Sequence, residues 1–129
     1  MAQYEHLPIY KKAFDLTVYF DNLVRNFSRY HKYQIGAELR QQSREVLRQI
    51  IRANNATARA PYLEKLRELL EDLKISLRIA KEVKAFANFD SFQYSVNQVV
   101  DLCRQNEGWL KSTLQKSGRP ESSLHAGAG

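Results

Sequence analysis

Turn formers are scarce in this chain. Of 129 residues, 5 are glycine and 3 are proline. Gly118, Gly127, Gly129 and Pro120 all fall at the C-terminal end. The body keeps Pro8, Gly36, Pro61 and Gly108, too few for a β-sandwich or barrel, which needs a turn roughly every ten residues. The single cysteine, Cys103, excludes an internal disulfide framework and a cysteine-based zinc site. No apolar run approaches the roughly 20 residues that a membrane span requires, and the start MAQYEHLPIYKK lacks the charge, apolar core and small residues of a signal peptide. The expected location is the cytoplasm.

Chemical signatures are missing too. There is no phosphate-binding G-x-x-x-x-G-K loop, no G-x-G-x-x-G, no H-E-x-x-H and no G-x-S-x-G. His6, His31 and His125 sit at an end, in a loop and in the tail, so no pair has ligand spacing on a helix. Glu64, Glu68, Glu71 and Asp72 cluster, but a carboxylate metal site in a bundle also needs Glu-x-x-His, so they read as a solvated face. No histidine is placed to activate Cys103, which reads as a buried, inert thiol. The expectation is a non-enzyme with no cofactor and no metal.

What is present is helical. Hydrophobic residues make up 43% of the chain, enough for a core. Apolar residues recur at about 3.6-residue spacing in four segments. The first runs from Pro8 to Phe27, with Ile9, Ala13, Leu16, Phe20, Leu23, Val24 and Phe27 inward. The second runs from Gln34 to Asn54, with Ile35, Leu39, Ser43, Val46, Leu47, Ile50 and Ala53 inward. The third opens at Pro61 and reaches Ala85, burying Tyr62, Leu66, Leu69, Leu70, Leu73, Leu77 and Ala80. Asp90, with Gln93 three residues on, forms a capping box for the fourth, which ends near Gln115 and buries Phe92, Val96, Val99, Cys103, Leu110 and Leu114. The pattern predicts an all-α, antiparallel up-down four-helix bundle over residues 1–115, with 116–129 a disordered tail.

Two kinds of surface exceed what a lone bundle needs. Second apolar stripes fall off the core face at Tyr10, Phe14 and Val18, at Ile75 and Ile79, and at Leu102 and Trp109; contiguous exposed apolar patches mark interfaces, here self-association. Positive charge is in excess, 20 Lys+Arg against 14 Asp+Glu for a net +6. Arg40, Arg44, Arg48 and Arg52 repeat every four residues opposite the second segment's apolar face, with only Glu38 and Glu45 to offset them. Arg67, Lys74, Arg78 and Lys81 form a second stripe on the third segment, where Glu71 and Glu82 could pair with Arg67 and Arg78. Such ridges neutralise a phosphate backbone without reading bases. Tyr30, His31 and Tyr33, beside Arg29 and Lys32, could stack on bases; the reading taken here is that Tyr30 and Tyr33 close the end of the bundle.

Arg29-Tyr30 leading to Ile35-Gly36-Ala37-Glu38-Leu39-Arg40, then Leu73-Lys74-Ile75-Ser76-Leu77-Arg78-Ile79-Ala80, then Gly108-Trp109-Leu110-Lys111, resemble the four-helix-bundle family of the 23S rRNA intervening-sequence proteins and the accessory variability determinants (Avd) of diversity-generating retroelements. The resemblance covers Leu7–Gln115. The last two motifs look like the Avd branch. The rRNA-insert branch has Asn-Ile-Ala-Glu-Gly late in the second helix, where this chain reads Ile51-Arg52-Ala53-Asn54-Asn55. The resemblance implies a homopentameric barrel of bundles with a basic surface. It implies binding to the element's reverse transcriptase and to nucleic acid, in support of mutagenic retrohoming; the basic stripes themselves suit RNA and DNA with little sequence preference. It also implies that the polymerase is a separate protein, and that Lys74 and Arg78 match the basic positions of the family's third-helix motif. The alternatives are an rRNA intervening-sequence-type bundle, or an oligomeric scaffold whose basic surface docks an acidic protein.

Overall fold

A computed structural model describes residues 3–117. After a 3-10 turn at Gln3–His6 come α1 (Pro8–Arg25), a short α2 (Arg29–Tyr33), α3 (Ile35–Asn55), α4 (Ala60–Glu82) and α5 (Phe89–Lys116). Among the described residues there is no strand, and no helix is long and apolar enough to cross a membrane. The segment expected to be a disordered tail lies outside the described residues from 118 onward; Lys116 itself closes α5.

The chief neighbours are α1 with α3, α3 with α4, α4 with α5, and α5 with α1. The four long helices thus enclose one core. On α1 and α3 the residues that apolar spacing predicts inward are buried, with Leu23 and Leu47 half-buried at the rim, and Thr17, Gly36 and Gln49 join them. Cross-helix polar contacts fix the register. Between α3 and α4, Gln49 Nε2 donates to the Tyr62 carbonyl (2.9 Å) and Ser76 Oγ to Glu38 Oε1 (3.2 Å). Between α4 and α5, Asn106 Nδ2 donates to the Leu63 carbonyl (3.0 Å). Between α1 and α5, Lys12 Nζ lies 3.0 Å from Asp101 Oδ2, and the Tyr19 and Tyr94 rings lie 4.7 Å apart.

Two inward faces differ from expectation. On α4 the buried line is Leu63, Leu66, Leu70, Leu73, Leu77 and Ala80, alternating steps of three and four residues. Tyr62, expected inward, is one position off that line and exposed. On α5 the seam runs through Ser95, Val99, Leu102, Asn106, Leu110 and Leu114, all buried. Leu102, expected as an interface residue, has 0% of its surface exposed and belongs to the protomer core, while Phe92, Val96 and Cys103 are half-buried flanks. Two polar residues occupy this seam. Each donates to a backbone carbonyl, Ser95 Oγ to Ser91 (2.8 Å) and Asn106 Nδ2 to Leu63, while the buried Asn106 Oδ1 finds no hydrogen-bond partner among the described residues. Tyr10 and Trp109, also expected at an interface, are half-buried against the core.

Helix ends differ as well. Asn88, not Asp90, caps α5: its Oδ1 accepts from the Ser91 amide at 2.8 Å. Asp90 sits in the first turn, where the helix dipole favours a negative charge, and Gln93 donates instead to Asn97 Oδ1 (2.9 Å). α4 stops at Glu82 rather than Ala85. Lys84 takes a left-handed backbone (φ 65°), and the Ala85 amide reaches back to the Ala80 carbonyl at 2.9 Å. Glycine is the usual occupant of that position, so a lysine there hides the helix end from sequence inspection.

Candidate nucleic-acid interface

The α3 arginines lie along the outer side of the helix, and each has found a carboxylate. Arg44 Nη2 is 2.7 Å from Asp21 Oδ2, and Arg40 Nε is 3.4 Å from Asp21 Oδ1 while its Nη2 donates to the Asp21 carbonyl (2.9 Å). Glu45 takes Arg48 at 3.3 Å and Arg52 at 3.0 Å. The Arg52 bond, then the charges of both arginines, hold the Glu45 carboxyl below the ordinary carboxylate range. Of the two acids expected to offset the ridge, Glu45 does so; Glu38 instead accepts the Ser76 hydroxyl, and the second counter-charge is Asp21 from α1. Four guanidinium groups share two carboxylates, so the ridge keeps part of its positive field.

The α4 stripe divides. Arg67 pairs across to α5, not with Glu71 on its own helix: its Nε and Nη2 lie 2.7 and 2.6 Å from the two Glu107 oxygens. Glu71 is taken by Lys74 at 2.6 Å, a bond that raises the ammonium's pKa. Arg78 is exposed and, among the described residues, has no carboxylate at ion-pair distance; the expected partner Glu82 does not reach it. Lys81 lies over aromatic rings, 5.2 Å from the centre of Phe92 and 5.8 Å from that of Phe89, a cation–π geometry.

A further group of cations lies elsewhere. At the end of the molecule where α1 finishes, α2 sits and α4 turns into α5, Arg25, Arg29, Lys32 and Lys84 join Lys81, none ion-paired among the described residues. A chain of ring contacts crosses this end: Phe27 to Phe86 (5.8 Å), Phe86 to Phe92 (5.6 Å) and Phe92 to Phe89 (5.8 Å). Tyr30 and Tyr33 do not close the bundle as expected. They are 72% and 68% exposed, and no residue of α2 is buried. Phe27 and Phe86 cover the end instead, which leaves the tyrosines free to project. A groove of about 270 Å³ runs between Tyr30, His31, Gln34, Ile35, Glu38, Ile79 and Val83. Sequence reading found the α2 cluster but gave its rings the wrong place. It did not assign Arg25, Lys84 or Phe89 to the site, because it read Lys84 inside a helix and Phe89 in a loop.

The opposite end also holds Arg59 and Lys116, neither ion-paired among the described residues, at a groove of about 540 Å³. Its rings are fewer, with Tyr62 exposed and Trp109 half-buried. The apolar strips expected to mediate assembly are exposed at Phe14, Val18, Ile75 and Ile79, and Val83 extends the α4 strip. For nucleophilic or metal chemistry the described residues offer no group of three His, Cys, Asp or Glu that could hold a metal. Burial pushes the Cys103 thiol pKa up, away from the reactive thiolate. Compared with models of known protein families and with curated proteins, the sequence matches none.

Proposed function

We propose that this chain is a non-catalytic accessory protein of a diversity-generating retroelement, of the Avd type. In this reading it binds nucleic acid and the element's reverse transcriptase through a basic surface. The observation that carries the reading is the exposed positive charge, in no ion pair among the described residues, on an all-helical scaffold, from Arg78 through Lys81 to Lys84 and α2. The contacts of α3 with α4, in which Gln49 meets Tyr62 while Glu38 meets Ser76, support an antiparallel up-down bundle. Exposed strips on α1 and α4, helices with α3 between them in the ring, support self-association. Two unlike patches on one protomer make a head-to-tail contact, the kind that closes rings, and the proposed assembly is a homopentamer in the cytoplasm.

The experiment is a salt titration of RNA and DNA binding. Affinity falls with a log–log slope of about −0.7 to −0.9 per phosphate contact, and Lys74→Glu/Arg78→Glu weakens binding to all sequences alike while helicity is kept. Absence of binding by the wild type at low salt overturns the reading in favour of a scaffold for an acidic protein.

A further inference from the structure

The α2 end combines three features that a solvated helix turn does not need. Among the described residues its cations lack carboxylate partners, its tyrosines project into solvent, and its backbone is held in place although none of its side chains is buried. The holding is specific. A Cβ on Gly36 would lie 2.6 Å from Val24 Cγ1 and 2.9 Å from the His31 carbonyl oxygen. Only a glycine lets the first turn of α3 approach α2 and the end of α1 so closely. Nearby, Lys84 adopts the left-handed conformation that a lysine enters only against its steric preference. Gly36 thus places a segment that buries none of its own side chains, and Lys84, whose left-handed backbone ends α4, adds a cation at the same end of the molecule.

The chemistry at that site is selective. Tyr30 and Tyr33 are three apart on one short helix and so share a face. Arg29 and Lys32 flank them on the same short helix. Lysine and arginine supply donors and positive charge only, so the partner is a polyanion. Exposed rings between those cations suit a polyanion that also presents flat faces. We propose that the α2 end is a stacking platform for single-stranded nucleic acid, with Tyr30 and Tyr33 against unpaired bases and Arg29, Lys32 and Lys84 on the phosphates. A duplex hides its base faces in its own stack and meets only the cations. This inference rests on the reading that the chain binds nucleic acid, and it moves the principal contact away from the α3 ridge.

The test compares a short oligo(dT) with a duplex of equal length, for the wild type and three variants, at several salt concentrations. Tyr30→Ala/Tyr33→Ala weakens single-strand binding on the order of ten-fold per ring, leaves duplex binding unchanged and leaves the salt slope unchanged, because the rings carry no charge. Tyr30→Phe/Tyr33→Phe restores single-strand binding. Lys84→Gly, which relieves the left-handed backbone and so does not unfold the protein, flattens the slope by about one contact. Equal single-strand affinity in the alanine variant, or equal losses on single strand and duplex, overturns the platform while nucleic-acid binding stands. A wild type that binds neither probe overturns both.

Discussion

The outer face of α3 carries Arg40, Arg44, Arg48 and Arg52, each with a carboxylate within 3.4 Å. The α2 end carries Arg25, Arg29, Lys32 and Lys84, none ion-paired among the described residues. In the sequence the first group is the more regular and looks the stronger phosphate ridge. In the fold a neighbouring helix supplies Asp21, and Glu45 reaches two arginines on its own helix, so much of that charge is already engaged. A cation binds a polyanion readily when no fixed carboxylate competes for it, and that depends on residues far away in sequence. The second group is irregular, set in a turn and a short helix, and keeps its charge for an outside partner.

The sharpest way to break this comparison is to unhook α2. Gly36→Ala places a methyl group against Val24 and the His31 carbonyl, and such overpacking costs about 1–3 kcal/mol. We expect a melting temperature lower by several degrees and single-strand binding weakened beyond the effect on duplex. Unchanged stability measured by thermal denaturation would show that the approach of α2 to α3 is loose. Gly108 is the internal control: nothing lies within 4 Å of its Cβ position, so Gly108→Ala on α5 adds no clash.

The comparison inverts if the ridge is released. Asp21→Ala leaves Arg40 and Arg44 without their shared carboxylate. The pair is about one-third exposed, so the stability loss is about 1 kcal/mol or less. Binding to nucleic acid moves the other way, gaining affinity and about one to two contacts in the salt slope. Loss of affinity in this variant would mean that the pairs shape the binding surface rather than mask it.

Apolar periodicity sufficed for the four long helices and for most of the cores of α1 and α3, although Thr17 and Gln49, buried there, escaped it. It failed on α5. Ser95 and Asn106 interrupt the α5 seam, so counting apolar residues selected Val96 and Cys103 and assigned Leu102 to the surface. It failed again at Tyr62, whose aromatic ring weighs as core by composition although Leu63 holds the place. Charge was legible by sign and spacing but not by partner: Asp21 with Arg44, and Glu107 with Arg67, are more than twenty residues apart and meet only through packing. The basic-aromatic cluster of α2 was legible as a list of residues. Its exposure was not, since Phe27 and Phe86 had to be seen covering the end first.

The smallest expected effect separates the two regions by acid. The Glu45 carboxyl titrates below its ordinary range because Arg52, then Arg48, stabilises its charged form. A carboxyl depressed in the folded state contributes stability above the ordinary carboxylate range and loses that contribution as the pH falls through the depressed value. The pairs are partly exposed, so the contribution is a few tenths of a kcal/mol, up to about 1 kcal/mol. Glu45→Gln should therefore be slightly less stable than the wild type at neutral pH, with the two converging as acid protonates Glu45. Protonation also frees Arg48 and Arg52, so wild-type affinity for nucleic acid should rise on acidification toward that of Glu45→Gln. Among the described residues the cations of the α2 end are in no ion pair, and a Tyr30→Ala/Tyr33→Ala background should show the same pH increment on top of its weaker binding. A stability difference between Glu45→Gln and the wild type that stayed constant across the acid range would show that Glu45 contributes through packing and not through its charge.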